Sequence, residues 1–339
     1  MLAQPDHPPR EECPTRPQPT GASRSATAPS SAKPTVSVVI PTYNSADTLP
    51  RALESVWIQD YPALETIVVD DGSTDGTRAM LAPLAERGVQ YVSSDGRLGP
   101  AGARNLGIAR ASGELVAFLD ADDTWLPGKI SRQVDLLMKS PRVSLVTCDG
   151  YSVTAVGERL SRCYDVRPPA VGQHAWKTLL AYNFIKTPSV MVRRADLVEV
   201  GGFRPELRVG EDLDLWIRLS LRGEVAVIRD PLMEIYNRPG SLTKVSPDYE
   251  RRITLPLLEE HLQRHASSLT TAERRRIRGT RSFVMGCDLF YEGAYSASVP
   301  LFWRATISGV RPVKSLFNVL RALLLWAWPV TWAWWGGGG

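Results

Sequence analysis

The sequence predicts an α/β protein with a mostly parallel central sheet and helices on both faces. Short apolar runs at residues 36–40 (VSVVI), 66–69 (TIVV) and 115–118 (LVAF) alternate with stretches of helical length. That alternation marks strands buried on both faces and joined by crossover helices. Two of the runs stop abruptly in carboxylates, at Asp70-Asp71 and at Asp120-Ala121-Asp122-Asp123. In an open parallel sheet, ligands bind at that end of the strands.

Each element has a local reason. Residues 1–34 are rich in Pro, Ser, Thr, Ala and Arg and poor in large apolar side chains. Such a segment buries too little surface to offset its ordering entropy, so a disordered tail is expected. It carries no signal-peptide pattern, and the acidic Asp6, Glu11 and Glu12 disfavour a transit peptide. The first strand is expected to stop at Pro41, and Ser45 or Asp47 can cap a helix running to Trp57. After the second strand, Thr74 or Asp75 opens a helix to Arg87, and residues 90–93 form a short third strand. Residues 99–111 supply the next helix, and the LVAF strand closes the unit. Leu213, Trp216, Ile217 and Leu219 have the spacing of a buried helical stripe beginning near Asp212. Beyond about residue 246 the pattern is helical.

Composition narrows the classes. A chain of 339 residues, 43% hydrophobic and 22% charged, can build one large core or two smaller ones. A formal charge of +4 points to no nucleic-acid partner. Cys13, Cys148, Cys163 and Cys287 are scattered without CxxC spacing, which favours reduced thiols on the cytosolic side. A dinucleotide fold or a P-loop needs a Gly-rich turn after the first strand. Here that place holds Pro41-Thr42-Tyr43-Asn44-Ser45, with no glycine.

Three carboxylates at one strand end repel each other unless a cation sits among them. Mg²⁺ and Mn²⁺ prefer carboxylate oxygens and usually hold a substrate diphosphate as well. The plainer reading is an acidic first turn for the helix that follows. Gly210-Glu211-Asp212-Leu213-Asp214 has the same plain reading, and a chemical one: a carboxylate placed to take a proton from an attacking hydroxyl.

Four segments occur in order: VSVVIPTYN from Val36, VVDDGSTDGT from Val68, GPAGARNLGIARASGELVAFLDADD from Gly99 and GGFRPELRVGEDLDLWIRL from Gly201. Together they resemble a family 2 glycosyltransferase of the bacterial, non-processive type with the GT-A (nucleotide-diphospho-sugar transferase) fold, over roughly residues 35–245. The resemblance implies a nucleotide-sugar donor, a divalent metal and inverting displacement at the anomeric carbon. It divides the domain into a nucleotide-sugar half (35–125) and an acceptor half (126–245). Pro41 and Tyr43 would lie in the donor loop, with the Tyr43 ring able to stack on a base. Of Asp70 and Asp71, one would meet the base imide and the other would cap the next helix. Arg104 would reach the diphosphate. Asp122 would contact Mg²⁺ or Mn²⁺, and Asp120 would share the metal site nearer the ribose, while Asp123 caps the following turn. Asp212 matches the base position, and Glu211 its acidic neighbour on donor or acceptor hydroxyls. Many relatives carry a His after the last core strand; this chain has Arg238 about there, suited to diphosphate and not to metal. The Gln-x-x-Arg-Trp motif of processive synthases is missing, which implies transfer of one sugar per encounter.

The C-terminal part, 246–335, reads as a helical extension. Arg274-Arg275-Arg276, Arg278 and Arg281 form a basic stretch, whose plain reading is a solvated helix face. Residues 316–335 hold five of the ten tryptophans and no charge after Arg321. Asn318, Pro329 and the crowded indoles suit interfacial seating better than a span, with a packed terminal helix as the alternative. The expectation is a metal-dependent enzyme moving one sugar from a nucleotide-diphospho-sugar, a UDP-sugar first among candidates. Its acceptor would be a glycan or lipid-linked hydroxyl, in surface glycan or glycolipid synthesis. It would be cytoplasmic and peripheral on the inner face of the cell membrane. Two other readings compete: a non-catalytic nucleotide-sugar or glycan-binding module, which needs no base at Asp212, and a sugar nucleotidyltransferase, which needs a Gly-rich basic loop after the first strand.

Overall fold

The computed structural model describes residues 33–94, 96–237 and 253–327. The expectations for most of the N-terminal tail, for Arg238 and for residues 328–335 concern residues outside these. Pro34, at the edge of the expected tail, is buried, and its carbonyl accepts the Tyr61 hydroxyl at 2.6 Å.

The first half alternates as its apolar runs predict: β1 (Val36–Thr42), α1 (Leu49–Trp57), β2 (Leu64–Asp70), α2 (Thr77–Leu81), β3 (Val89–Ser93), α3 (Gly99–Arg110) and β4 (Leu115–Phe118). Two boundaries differ from expectation. β1 runs through Pro41 to Thr42, because proline removes only one donor from the ladder and the Thr42 carbonyl still accepts the Asp71 N–H at 2.9 Å. The second helix tightens to a 3₁₀ turn over Ala82–Arg87, where Pro83 cannot donate an i→i−4 bond. The second half comprises β5 (Thr124–Trp125), α4 (Lys129–Lys139), β6 (Val143–Val153), β7 (Arg159–Arg162), α5 (Cys163–Val166), α6 (Ala175–Leu179), β8 (Met191–Arg193), α7 (Arg194–Glu199), α8 (Glu211–Arg222) and β9 (Glu224–Tyr236). Among the described residues beyond β9 come α9 (Leu255–Arg264), α10 (Thr271–Tyr291), α11 (Tyr295–Ile307) and α12 (Pro312–Ala327).

The strands make one sheet in the order β3-β2-β1-β4-β8-β6-β9-β5, with β7 on β6. β1 to β4 are mutually parallel, while β8 runs antiparallel between β4 and β6. The carboxylate end of β4 therefore lies where the parallel half meets the mixed half. Helices cover both faces. One buried cluster joins the sheet to α3, α6 and α8, and a second joins it to α1 and α4. At Gly107 α3 lies close against the sheet: a Cβ there would lie 2.3 Å from Val39 Cγ1, so only glycine fits.

The helical extension shares the main core. Leu258 and Leu262 of α9, with Leu269 and Ile277, belong to the same buried cluster as Trp216 of α8. His261 Nε2 lies 2.9 Å from Asp214 Oδ1 with both side chains fully buried, which ties α9 to the helix carrying Asp212. A smaller cluster of Phe283, Phe290, Phe302, Val319 and Ala322 joins α10, α11 and α12.

Candidate active site

The strand end and the helix start meet because aromatic packing brings them together. Phe118, the last residue of β4, Phe203 in the loop before α8, and Trp216 of α8 form a buried triangle with centroid separations of 5.4, 5.9 and 6.2 Å. Such pairs each contribute about 0.5–1.5 kcal/mol beyond burial. Asn105 pins the Phe203 loop: its Nδ2 donates to the Phe203 carbonyl at 2.7 Å, and its Oδ1 accepts the Phe203 N–H at 2.8 Å. Gly210, with φ of +78°, then turns the chain into α8, and Glu211 and Asp212 open that helix.

Arg104 joins the two acidic groups. Its guanidinium donates to Asp120 Oδ1 at 2.7 Å and to Glu211 Oε1 at 3.0 Å, 5.5 Å from the Phe203 ring centroid. Burial alone would lower its pKa, but Asp120 and Glu211 outweigh burial and raise it. Glu211 moves the other way. Burial and then the Asp212 charge, against the opposing pull of Arg104, lift it from 4.5 to about 7. A carboxyl with a raised folded pKa holds its proton more tightly when folded. Its contribution to stability is full below about 4.5 and falls as pH rises towards 7. In thermal melts of the ligand-free, metal-free protein, wild type should lose midpoint temperature relative to Glu211→Gln between those pH values. Parallel curves for the two proteins would refute burial as the cause.

Asp212 is half-buried. Its Oδ2 accepts Asn183 Nδ2 at 2.9 Å, its Oδ1 accepts the Leu213 N–H at 2.7 Å, and burial raises its pKa. Asp214 is fully buried and fixed between His261 and Arg218, which lies at 2.6 Å. Burial opposes its ionisation, but those partners prevail and lower its pKa. It faces the core, not the site.

The carboxylate turn after β4 is pinned by backbone. The Asp123 N–H donates to the Asp120 carbonyl at 3.1 Å, and Arg51 donates to the Asp122 carbonyl at 2.8 Å. Asp123 does not cap the following turn as expected. Its Oδ1 accepts the N–H of Tyr236 at the end of β9, at 3.0 Å, because β5 pairs with β9 and carries the turn there. Burial, then Asp120 and Asp122, push the Asp123 carboxyl well above the usual range. Excess negative charge thus collects at this strand end. Asp120 and Asp122 offer oxygen donors only, and among the described residues no three Asp, Glu, His or Cys side chains are grouped to enclose an ion. That donor set fits Mg²⁺ or Mn²⁺, which keep part of their coordination for water and substrate phosphate.

The donor-side residues lie at the ends of β1 and β2. Pro41 is half-buried in β1. Tyr43 is partly exposed, with one ring face covered by the Arg97 guanidinium at 3.6 Å. Asp70 and Asp71 are both buried. Asp70 accepts the Ser73 N–H at 2.9 Å and the Tyr91 hydroxyl at 3.1 Å. Asp71 caps a helix, but α3 and not the one that follows it. It accepts the N–H groups of Leu98 and Gly99 at 2.7 and 2.9 Å, since parallel pairing of β2 with β3 sets its end beside the start of α3.

Asp120, Glu211, Asp212 and Arg104 are thus brought into one site. Sequence reasoning passed over Arg97, Asn105, Asn183 and Lys186. Lys186 acts electrostatically on both Asp123 and Asp212. Only Asn105 carried a signal, as the neighbour of Arg104 within the same motif.

Residues 37–200 match the family model described as glycosyl transferase family 2. The succinoglycan biosynthesis protein ExoO of Rhizobium meliloti is 31% identical over 258 residues, covering 73% of this chain and 74% of that protein. The UDP-Glc:alpha-D-GlcNAc-diphosphoundecaprenol beta-1,3-glucosyltransferase WfgD of Escherichia coli is 35% identical over 105 residues, 31% of this chain and 42% of that one. Among solved structures, residues 1–349 of S. aureus TarS with UDP-GlcNAc superpose with a TM-score of 0.55 at 20% identity, over 86% of this chain and 91% of that one. That likeness shows the fold.

Proposed function

The chain belongs to glycosyl transferase family 2, whose members among its relatives act in polysaccharide and glycolipid biosynthesis, and from that premise we propose an inverting enzyme that moves one sugar at a time from a nucleotide-diphospho-sugar. The observation that carries the proposal is the Arg104 bridge, which ties the Asp120 strand end to the Glu211–Asp212 helix start.

In this reading the Tyr43 loop and the Asp70 strand end receive the base. Arg104 holds Asp120 and Glu211 in place and lends positive charge where the diphosphate lies. Asp120 and Asp122 would hold Mg²⁺ or Mn²⁺, which when bound supplies charge stabilisation to the leaving diphosphate. Asp212 takes the proton of the acceptor hydroxyl as it attacks the anomeric carbon, and Asn183 orients its carboxylate. Burial raises the pKa of Asp212, which makes its carboxylate a stronger base towards the acceptor proton. Hydrolysis of UDP-, GDP- and dTDP-sugars, with and without divalent cation, tests the reading, with UDP-sugars expected to react first. Cation-dependent turnover that is lost in Asp122→Asn supports it; full activity in that variant, or in wild type with chelator, refutes it.

The acceptor is a glycan or lipid-linked hydroxyl at the inner membrane face, in keeping with the diphosphoundecaprenol substrate in the name of WfgD. Among the described residues no helix is long and apolar enough to cross a membrane. α12 instead divides in two: Ser315, Val319 and Ala322 pack inward, while Val313, Phe317, Leu320 and Leu324 are exposed, beside Lys314 and Arg321. That face suits an anionic interface. Phe317→Glu with Leu320→Glu and Leu324→Glu should abolish flotation with anionic vesicles while leaving donor hydrolysis intact. Unchanged flotation would remove α12 from the membrane claim.

A further inference from the structure

The basic stretch of α10 does not simply face solvent. It lines a groove between α9, α10 and α11 made of two adjoining clefts of about 440 and 580 Å³, which share Leu262, Arg278 and Ser308. The floor of the larger cleft is apolar: Leu180, Leu258, Leu262 and Ile277 are all buried members of the main core. Its polar side is arginine: Arg278, Arg281 and Arg304 line it, and Arg274 and Arg275 line the adjoining cleft. Among the described residues lining the clefts, Glu259, paired with Arg278, is the one carboxylate. Arg281 is only 7% exposed, so its charge is set into the protein and not spread over a wet helix face.

An apolar trough with an arginine edge selects an amphiphile with an anionic head. What the groove adjoins narrows the choice. Where the two clefts join, Ile307 is exposed, one turn beyond the exposed Trp303, and α11 packs on α12 with its outward apolar row. The larger cleft is also lined by Leu180, three residues before Asn183, and by Leu255 of α9. Leu257, two residues further on, comes within 3.5 Å of where a Cβ on Gly210 would stand, just before Glu211. The groove thus adjoins the segment that carries Asn183, the residue holding the Asp212 carboxylate.

Resting on the reading of the chain as a glycosyltransferase, we propose that this groove seats the phosphate head and first apolar units of the isoprenoid lipid phosphate that carries the acceptor. The arginines neutralise the head, the Leu and Ile floor takes the chain, and the acceptor sugar is delivered to Asp212.

Calorimetric titration of the full chain with farnesyl phosphate tests it, with inorganic phosphate and farnesol titrated separately and UDP as the donor-site control. Farnesyl phosphate should bind at least tenfold more tightly than either fragment. Arg304→Gln, at an exposed position, should weaken it about tenfold or more without changing UDP binding. No binding of farnesyl phosphate overturns the proposal, as does equal binding by the Arg304→Gln variant. Inorganic phosphate binding as tightly as farnesyl phosphate would overturn it too, by reducing the groove to a simple anion site. Failure here with donor hydrolysis intact leaves the proposed function standing.

Discussion

Asp212→Asn is expected to slow sugar transfer by about two to four orders of magnitude, the usual weight of a general base. The change keeps the shape of the side chain. The Leu213 N–H can still donate to the remaining amide oxygen, so α8 should start where it does now. What is lost is the ability to take a proton. Donor affinity should therefore hold in calorimetry with UDP-sugar while the transfer rate collapses. If affinity fell with the rate, Asp212 would be a binding residue and the base would have to be Glu211. Asp214 is no substitute, because it is enclosed between His261 and Arg218.

Arg104→Met should be the costliest substitution for the fold of the site. The guanidinium is almost fully buried and serves two carboxylates at once. Removing one partner of a buried ion pair costs roughly 3–5 kcal/mol, because the charge left behind is uncompensated. Asp120 is about a quarter exposed and solvent will screen part of that loss, so about 3 kcal/mol is expected. Denaturant titration of wild type and variant measures it. The double variant Arg104→Met with Glu211→Gln should recover part of the loss, since it removes one of the stranded charges. No recovery would mean that Glu211 is not stabilised through Arg104.

What was legible in the sequence was local. The apolar runs that became β1, β2 and β4 needed no context, because a strand buried on both faces is apolar at every position. Their polar ends were legible for the same reason, and these held Asp70, Asp71, Asp120 and Asp122. The pairings were not. Arg104 meets Glu211 across 107 positions, Asp123 meets Tyr236 across 113, and Asp71 caps α3 across 27. Each depends on which strands are neighbours, and no local pattern reports that. The strand order, with β8 inserted between β4 and β6, is equally invisible to periodicity. Asn183 and Lys186 escaped notice because they sit in a connection without helical or strand spacing. The division of α12 into a packed and an exposed face appears only once Phe283, Phe290 and Phe302 have taken one side.

The central claim is a single displacement in which Asp212 acts as base and the diphosphate leaves. The anomeric configuration of the first transfer product, read by NMR before any mutarotation, tests it most directly. Starting from an α-linked nucleotide sugar, a lone base with no nucleophile on the sugar's far face must give the β-linked product. A product that keeps the α configuration would contradict the account, since retention requires a second displacement or a front-face path in which Asp212 has no role as base.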